Sequence, residues 1–545
     1  MTEPASVARA AAGMGVATAV SRGIGFVRIL VIAAVLGTTF LGNTYQSSNA
    51  VGNILFELLA AGALSAVLVP TFVEHLDRGD VAGAERLAGR ILGVALIALG
   101  AVALIGILAA PWIAKLLTAG VTDPAVAEAQ QSLSTFLLRF VVPQVLLYAV
   151  GAVSVAVLYA KRRLAVTAMA PIGLTVVVVT AMGVFRAVAG PDPGLDLALG
   201  EKLILALGAT LGVAAFVGIP TIALRRSGFR LVPRLGVRDP AIGRVLRLSA
   251  WAVFQHSMIG LLLLGAIVVG NTVEGGTLAY QVAWVFFLAP YAVLAQPIHT
   301  AILPDLARQA TDPDHFASSV HWALDGMAVL VVPVAAFLVA LAVPIMRVAA
   351  FGQATRAGGV GLLAAGLASL AVGLYTYSAF LLFARAYYAL GNSRTPALTA
   401  LASAGVGITV MAVGGAVTSG RATVAVLGFG HTAAYAFGAI VLWVGLTRRT
   451  GHLIVPRSLL RSALVAAPLA TCAWLLFRVL EPAGRMATLG ALVATTLVAG
   501  SIYVVVLRAL GGVPSLHPAL PWPVNPESTR PHPTGPEVPG VEPFA

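Results

Sequence analysis

The chain has 545 residues, of which 59% are hydrophobic and only 10% charged, with a mean hydropathy of +0.95, a net charge of +13 and a single cysteine. Soluble chains carry about a quarter charged residues, so this composition excludes a soluble enzyme, a secreted disulfide scaffold and a disordered regulator, and describes an all-α integral membrane protein. The Lys and Arg lie in short groups between apolar segments, with no basic face interleaved with aromatics, so the charge marks membrane topology and not nucleic acid.

A membrane helix needs about 20 mostly apolar residues to cross the hydrocarbon layer. That template predicts about 14 transmembrane helices, near 14–36, 46–73, 90–114, 132–159, 164–186, 202–224, 246–270, 278–304, 320–346, 359–386, 395–417, 422–446, 458–478 and 485–507. The connecting loops are short, which leaves no room for a soluble catalytic domain. The first span lacks a small-residue cleavage site and is expected to be retained.

Span one carries Arg22 and Arg28, about 120° apart on a helix. Arginine's planar fork suits bidentate phosphate binding, so the pair points to an anionic lipid-linked substrate. The alternative is that one of them snorkels to the interface or pairs with an acid, Arg22 first, because it lies nearer the span's start. Span two brings Asn43 at its outer edge, then Asn49, Asn53 and Glu57 at spacings of four, which line one helical stripe. Glu57 reads equally as a counter-charge for those arginines, as a proton or cation site, or as half of a structural ion pair. Arg139 in span four, followed by Pro143 and Gln144, is a similar intramembrane cation.

Orientation follows from loop charge, because basic loops resist translocation. With the N-terminus inside, 23 of the 34 Lys and Arg fall on the cytoplasmic side, 8 outside, and 3 (Arg22, Arg28, Arg139) within spans. The inside markers are Lys161-Arg162-Arg163, the seven arginines from Arg225 to Arg247, and Arg448, Arg449, Arg457 and Arg461. An even span count places both termini in the cytoplasm. Pro143, Pro171, Pro290, Pro297, Pro333 and Pro344 mark expected bends. His256, His299 and His431 share no ligand spacing, so no metal is expected, and Cys472 has no partner for an internal disulfide. After Leu510, ten of the 31 prolines fall in 514–543, which predicts a disordered Pro-rich cytoplasmic tail over 511–545.

An internal repeat organises the spans. Leu68-Val69-Pro70-Thr71-Phe72-Val73 is matched by Ile302-Leu303-Pro304-Asp305-Leu306-Ala307, 234 residues on, and Leu147-Tyr148 by Leu374-Tyr375, 227 residues on. These offsets predict two six-helix lobes in parallel pseudo-repeat, 1–230 and 231–450, related by an axis along the membrane normal. Two such bundles can rock about a central cavity, which is transporter architecture. Spans 13 and 14, in 451–510, stand outside the repeat.

Ser21-Arg22-Gly23-Ile24-Gly25-Phe26-Val27-Arg28, then Asn53 through Ser65 (NILFELLAAGALS) leading to Val69-Pro70, and Tyr387 through Pro396 (YYALGNSRTP) together resemble the MurJ/MviN lipid II flippase family, and the composition resembles that of an actinobacterial member. The resemblance implies the fold of the multidrug/oligosaccharidyl-lipid/polysaccharide exporter superfamily, with spans 13 and 14 forming a groove for a lipid tail. It implies no enzyme activity and no cofactor, but transport of lipid II from the inner to the outer leaflet for peptidoglycan synthesis, driven by membrane potential or a cation gradient. Lipid II or a related polyprenyl-diphosphate lipid, the membrane and cell-wall synthesis proteins are the implied partners. Arg22 and Arg28 match the family's substrate-binding arginines. Several positions depart from its pattern: Asn43 stands where an acid is frequent, Phe56 and Val285 where basic residues are frequent, and no asparagines follow Ala170-Pro171. Either Glu57, Arg139 and Arg385 take part of the cavity role, or the substrate differs. The other readings are a flippase or exporter for another polyprenyl-diphosphate glycan, a drug or cation exporter, a polyprenyl-dependent glycosyltransferase, and a non-transporting cell-wall scaffold.

Overall fold

The computed structural model describes residues 23–59, 68–234, 254, 257–356, 358–452 and 454–511. Arg22, the Ala60–Ser65 motif segment, the arginines at 238, 244 and 247, His256 and the tail from 512 onward lie outside the described residues.

Every regular element among the described residues is helical. In chain order they are α1 (Gly23–Leu36), α2 (Phe40–Leu59), α3 (Val69–Asp77), α4 (Val81–Leu117), α5 (Pro124–Val141), α6 (Gln144–Ala160), α7 (Leu164–Ala189), α8 (Leu199–Arg226), α9 (Ser257–Gly270), α10 (Gly276–Pro290), α11 (Gln296–Arg308), α12 (Pro313–Ala340), α13 (Ala342–Ala349), α14 (Gly359–Val372), α15 (Leu374–Ala389), α16 (Arg394–Val417), α17 (Arg421–Thr450), α18 (Arg457–Leu480) and α19 (Arg485–Ala509). Among the described residues ten helical spans are long and apolar enough to cross a membrane, with α5–α6 and α10–α11 each counted as one, or 11 if the bent α14–α15 pair is one span. α2 is a 20-residue helix that is not among them; its polar stripe lowers its hydropathy.

Local chemistry sets the helix starts. Asp80 accepts from the Gly83 amide at 2.7 Å to cap α4, and Asp123 and Asp312 cap α5 and α12, each followed by proline in the first turn, where a missing N–H costs nothing. The expected proline bends appear in part. Pro143 separates α5 from α6, and Pro290 leads into a π-helical turn, Tyr291–Ala295, between α10 and α11. Pro171 and Pro333 lie inside continuous helices. A break of 46° between α14 and α15 falls at Gly373, where there is no proline. A Cβ there would stand 2.6 Å from Thr432 Oγ1 and 3.0 Å from its Cα, so glycine admits α17 into the elbow.

α4, α5, α6, α7 and α8 pack among themselves, α7 most extensively on α8; α12, α14, α15, α16 and α17 form a second mutually packed set. α10 packs on α14 and α17 and also touches α2, which ties the two sets together. α18 lies along α12, and α19 reaches α13 and α18.

Candidate functional site

A cavity of about 270 Å³ is lined by α1, α2, α6, α7, α8, α9 and α10. α1 and α2 furnish Arg28, Tyr45, Asn49, Asn53, Phe56 and Glu57; α6 furnishes Gln144 and Tyr148; α10 furnishes Gln281, Trp284 and Val285. The four-residue spacing of Asn49, Asn53 and Glu57 does put all three on one face, and that face lines the cavity. Exposure rises along α2, from a fully buried Asn43 to exposed Asn53 and Glu57, so the cavity is reached from the Glu57 end.

Arg28 and Glu57 are the charged side chains among the described lining residues. Arg28 is half-buried, and its Nε is shut off from solvent with no hydrogen-bond acceptor among the described residues. A guanidinium N–H left unsatisfied at bilayer depth is costly, which makes this nitrogen a donor poised for an anionic oxygen. The neighbouring amides are partly engaged: Asn49 Nδ2 donates to the Tyr45 carbonyl at 2.8 Å and Gln144 Nε2 to Thr210 Oγ1 at 3.0 Å. Phe56 packs its ring 4.6 Å from that of Tyr148 and 5.9 Å from that of Phe216, so part of the cavity wall is aromatic.

Two cations read from the sequence as cavity residues stand elsewhere. Arg139 is exposed on α5 and does not line the cavity. Arg385 lies on α15, outside the lining, with its Nη1 buried and without an acceptor. Asn43 is likewise corrected in position. It is fully buried and all its amide atoms are engaged: Nδ2 donates to the Val273 carbonyl at 2.7 Å, and Oδ1 accepts from the amides of Thr277 at 3.0 Å and Leu278 at 3.3 Å. Ser47 donates to Asn271 Oδ1 at 3.0 Å, Thr277 Oγ1 donates to the same oxygen at 2.8 Å, and Asn271 Nδ2 donates to the Leu117 carbonyl at 2.8 Å. This buried clasp joins α2, the end of α4 and the α9–α10 turn. Sequence reasoning missed Ser47, Asn271 and Thr277; the available signal was an Asn-Thr pair in a turn between two apolar runs.

Two further contacts seal the same face. The end of α1 packs against the turn at 352–355, where a Cβ on Gly352 would meet the Ala34 carbonyl at 2.5 Å, and a Cβ on Gly37 (φ +70) would meet that of Gln353 at 2.9 Å. Beyond it, Asp192 in the α7–α8 loop accepts from Gln353 Nε2 at 3.2 Å and pairs with Arg356 Nη1 at 2.8 Å. The Gln353 hydrogen bond, followed by the Arg356 charge, holds the Asp192 carboxyl below its ordinary value.

Behind the cavity wall, Trp284 leads into a buried aromatic cluster. Tyr280 Oη lies 2.6 Å from His431 Nε2, and the Tyr377 and Tyr435 rings meet edge-on at 4.8 Å. His299 lies 3.2 Å from Met327 Sδ on the far side. Among the described residues no group of three or more His, Cys, Asp or Glu is placed to hold a metal. Along α12, α13 and α19 runs an apolar groove of about 390 Å³, lined by Val334, Phe337, Ile345, Leu492 and Leu497 among others.

The fold, with a polar cavity walled by α1, α2 and α6–α10, is one shared with membrane transporters. The fold matches a lipid II flippase MurJ structure in an inward closed conformation with a TM-score of 0.71 at 17% identity, covering 91% of this chain and 99% of that one. It also matches an inward-facing multidrug resistance MATE family transporter of the MOP superfamily at 0.59 and 14% identity, covering 79% and 94%. The lipid II flippase MurJ family profile matches residues 32–498, and the chain belongs to that family. Among curated relatives, a probable lipid II flippase MurJ of Rhizobium meliloti is 26% identical over 523 residues, 93% of this chain and 94% of the relative. One of Vibrio cholerae is 25% identical over 390 residues, covering 70% and 72%.

Proposed function

We propose that this protein carries lipid II, a polyprenyl-diphosphate-linked peptidoglycan precursor, from the inner to the outer leaflet by alternating access. The observation that carries the reading is Arg28: a guanidinium nitrogen held dry and without an acceptor at the cavity of a flippase-family chain. A diphosphate offers oxygens in the fork geometry that satisfies such a group, and its negative charge offsets the cost of burying the cation.

In this reading Arg22 joins Arg28 on the diphosphate, while Asn53 and Glu57 shape the polar wall. Residues 1–230 and 231–450 are two six-helix lobes of a 14-span protein that rock about the cavity. Residues 451–510 guide the polyprenyl chain, and the α12–α13–α19 groove supports that assignment. Both termini face the cytoplasm, which puts the Asn43 clasp and the Asp192–Arg356 pair at the outer face and makes them the closed outer gate. Asn43 acts as a gate residue, and Arg139 and Arg385 act on the field around the cavity. No cofactor is needed. A net charge moved through the membrane supplies about 2.3 kcal/mol per 100 mV to bias the return.

The test is to deplete a host's own flippase, supply this chain as the replacement, and score lipid II accessible on the outer leaflet. Restored accessibility that falls about tenfold or more in Arg28→Ala supports the reading. Full activity in an Arg22/Arg28 double alanine variant removes it. A second reading, transport of another polyprenyl-diphosphate glycan, is favoured by the uncharged wall at Phe56 and Val285; it predicts an inserted protein that restores no lipid II accessibility.

A further inference from the structure

A second groove, separate from the central cavity, lies where the ends of α12 and α18, α13, and the starts of α14 and α17 meet. It encloses about 760 Å³. Three arginines converge on it from three different helices: Arg347 on α13, Arg421 at the start of α17 and Arg478 near the end of α18. None of the three forms an ion pair among the described residues, and the acid on the rim is Glu481. The groove therefore carries a net charge of about +2 above a floor that includes Val343, Ala365, Trp474 and Phe477.

Two of the three guanidinium groups are held in place. Arg421 lies across the bare backbone of Gly361, where any Cβ would fall on its guanidinium, and its Nη2 is near Gly358 as well. Arg478 stacks over the Trp474 ring, 5.0 Å from the centroid. Next to the groove Arg485 donates from Nε to the Val348 carbonyl at 2.7 Å and covers Phe351. These four are half of the 8 Lys and Arg that the topology assigns to the outer side, although outer positive charge works against the insertion bias. Scattered interfacial arginines would snorkel separately to water; arginines from three helices over one aromatic and aliphatic floor make a headgroup site.

We propose that this groove binds an anionic phospholipid of the surrounding leaflet. Its phosphate sits between Arg347, Arg421 and Arg478, and its glycerol backbone rests against Trp474 and Phe477. Planar, weakly hydrated guanidinium groups suit a phosphodiester at the membrane interface, and the apolar floor distinguishes a lipid from free phosphate.

The experiment is native mass spectrometry of the purified full chain in detergent, titrated in turn with phosphatidylglycerol, phosphatidylcholine, undecaprenyl diphosphate and inorganic phosphate. It depends neither on transport nor on membrane orientation. The expected result is retention of phosphatidylglycerol at least about tenfold over phosphatidylcholine, no displacement by inorganic phosphate, and a loss of about tenfold in Arg421→Gln/Arg478→Gln. Arg347→Gln, a single exposed change, should lower retention about threefold even where the double variant fails to fold. Equal retention of the two phospholipids, retention unchanged in both variants, displacement by inorganic phosphate, or a preference for undecaprenyl diphosphate at this groove would each overturn the proposal.

Discussion

Asn43 is a small amide that satisfies three backbone groups at once, all from a turn about 230 residues further along the chain. Its removal strands one half-buried carbonyl and two buried amides, and a stranded buried group costs about 1–3 kcal/mol. Asn43→Ala should therefore lower the unfolding temperature and raise hydrogen exchange at Thr277 and Leu278, while Asn53→Ala, on the exposed cavity face, should leave both unchanged. Asp192 contributes differently. Its folded-state carboxyl is depressed, so its stabilisation is fully present above the ordinary carboxylate value of about 4 and is lost as pH falls through the lower folded value. Comparing melts of the wild type and Asp192→Asn from pH 7 to pH 3 should show a gap that closes at the acid end.

The α14–α15 elbow shows what an element needs beyond hydropathy. Thr432 on α17 approaches Gly373 so closely that Gly373→Ala should cost about 1–3 kcal/mol, because the added methyl has nowhere to go. Gly490→Ala on α19, where a Cβ meets nothing within 4 Å, should be neutral or stabilise by less than about 1 kcal/mol. The pair of melts separates crowding at a bend from a general effect of adding side-chain volume to a membrane helix.

The same contrast explains how much could be read from the sequence. The long apolar helices and the Asn49–Asn53–Glu57 face depend on local period, and Arg28 announces itself as a charge in an apolar run, so these were legible; span two was not well bounded, since α2 starts six residues earlier than the apolar run at 46. Asn43 shares the outward reach of that stripe but sits ten residues before Asn53, where the facing surface is a turn and not a cavity; nothing local records that change of neighbour. Arg139 fails for a related reason, and Gly373 carries no sequence mark of its bend. A charge in a span says that it must find water or an anion, and a glycine says that something approaches, but neither says from which direction.

At the scale of the molecule, the contacts at 34–43, 192, 271–278 and 352–356 join the two helix sets on one face, while the cavity is reached from the other. Alternating access requires that joint to part. Cysteines at Asp192 and Arg356, in a Cys472→Ser background, bridged by a short bis-maleimide, should stop lipid II from reaching the outer leaflet, whereas modification of either cysteine alone should not. Transport undiminished after complete bridging would place the moving joint elsewhere.

The composition of that joint also bears on how it responds to the medium. Its buried part is built from amides, hydroxyls and close backbone contacts, which dissolved ions do not screen, and its one described ion pair, Asp192 with Arg356, stands in water at the rim. Raising the ionic strength therefore weakens only that rim pair and leaves the amide clasp intact. The closure should hold its strength between dilute and saline media, whichever side of the membrane it faces.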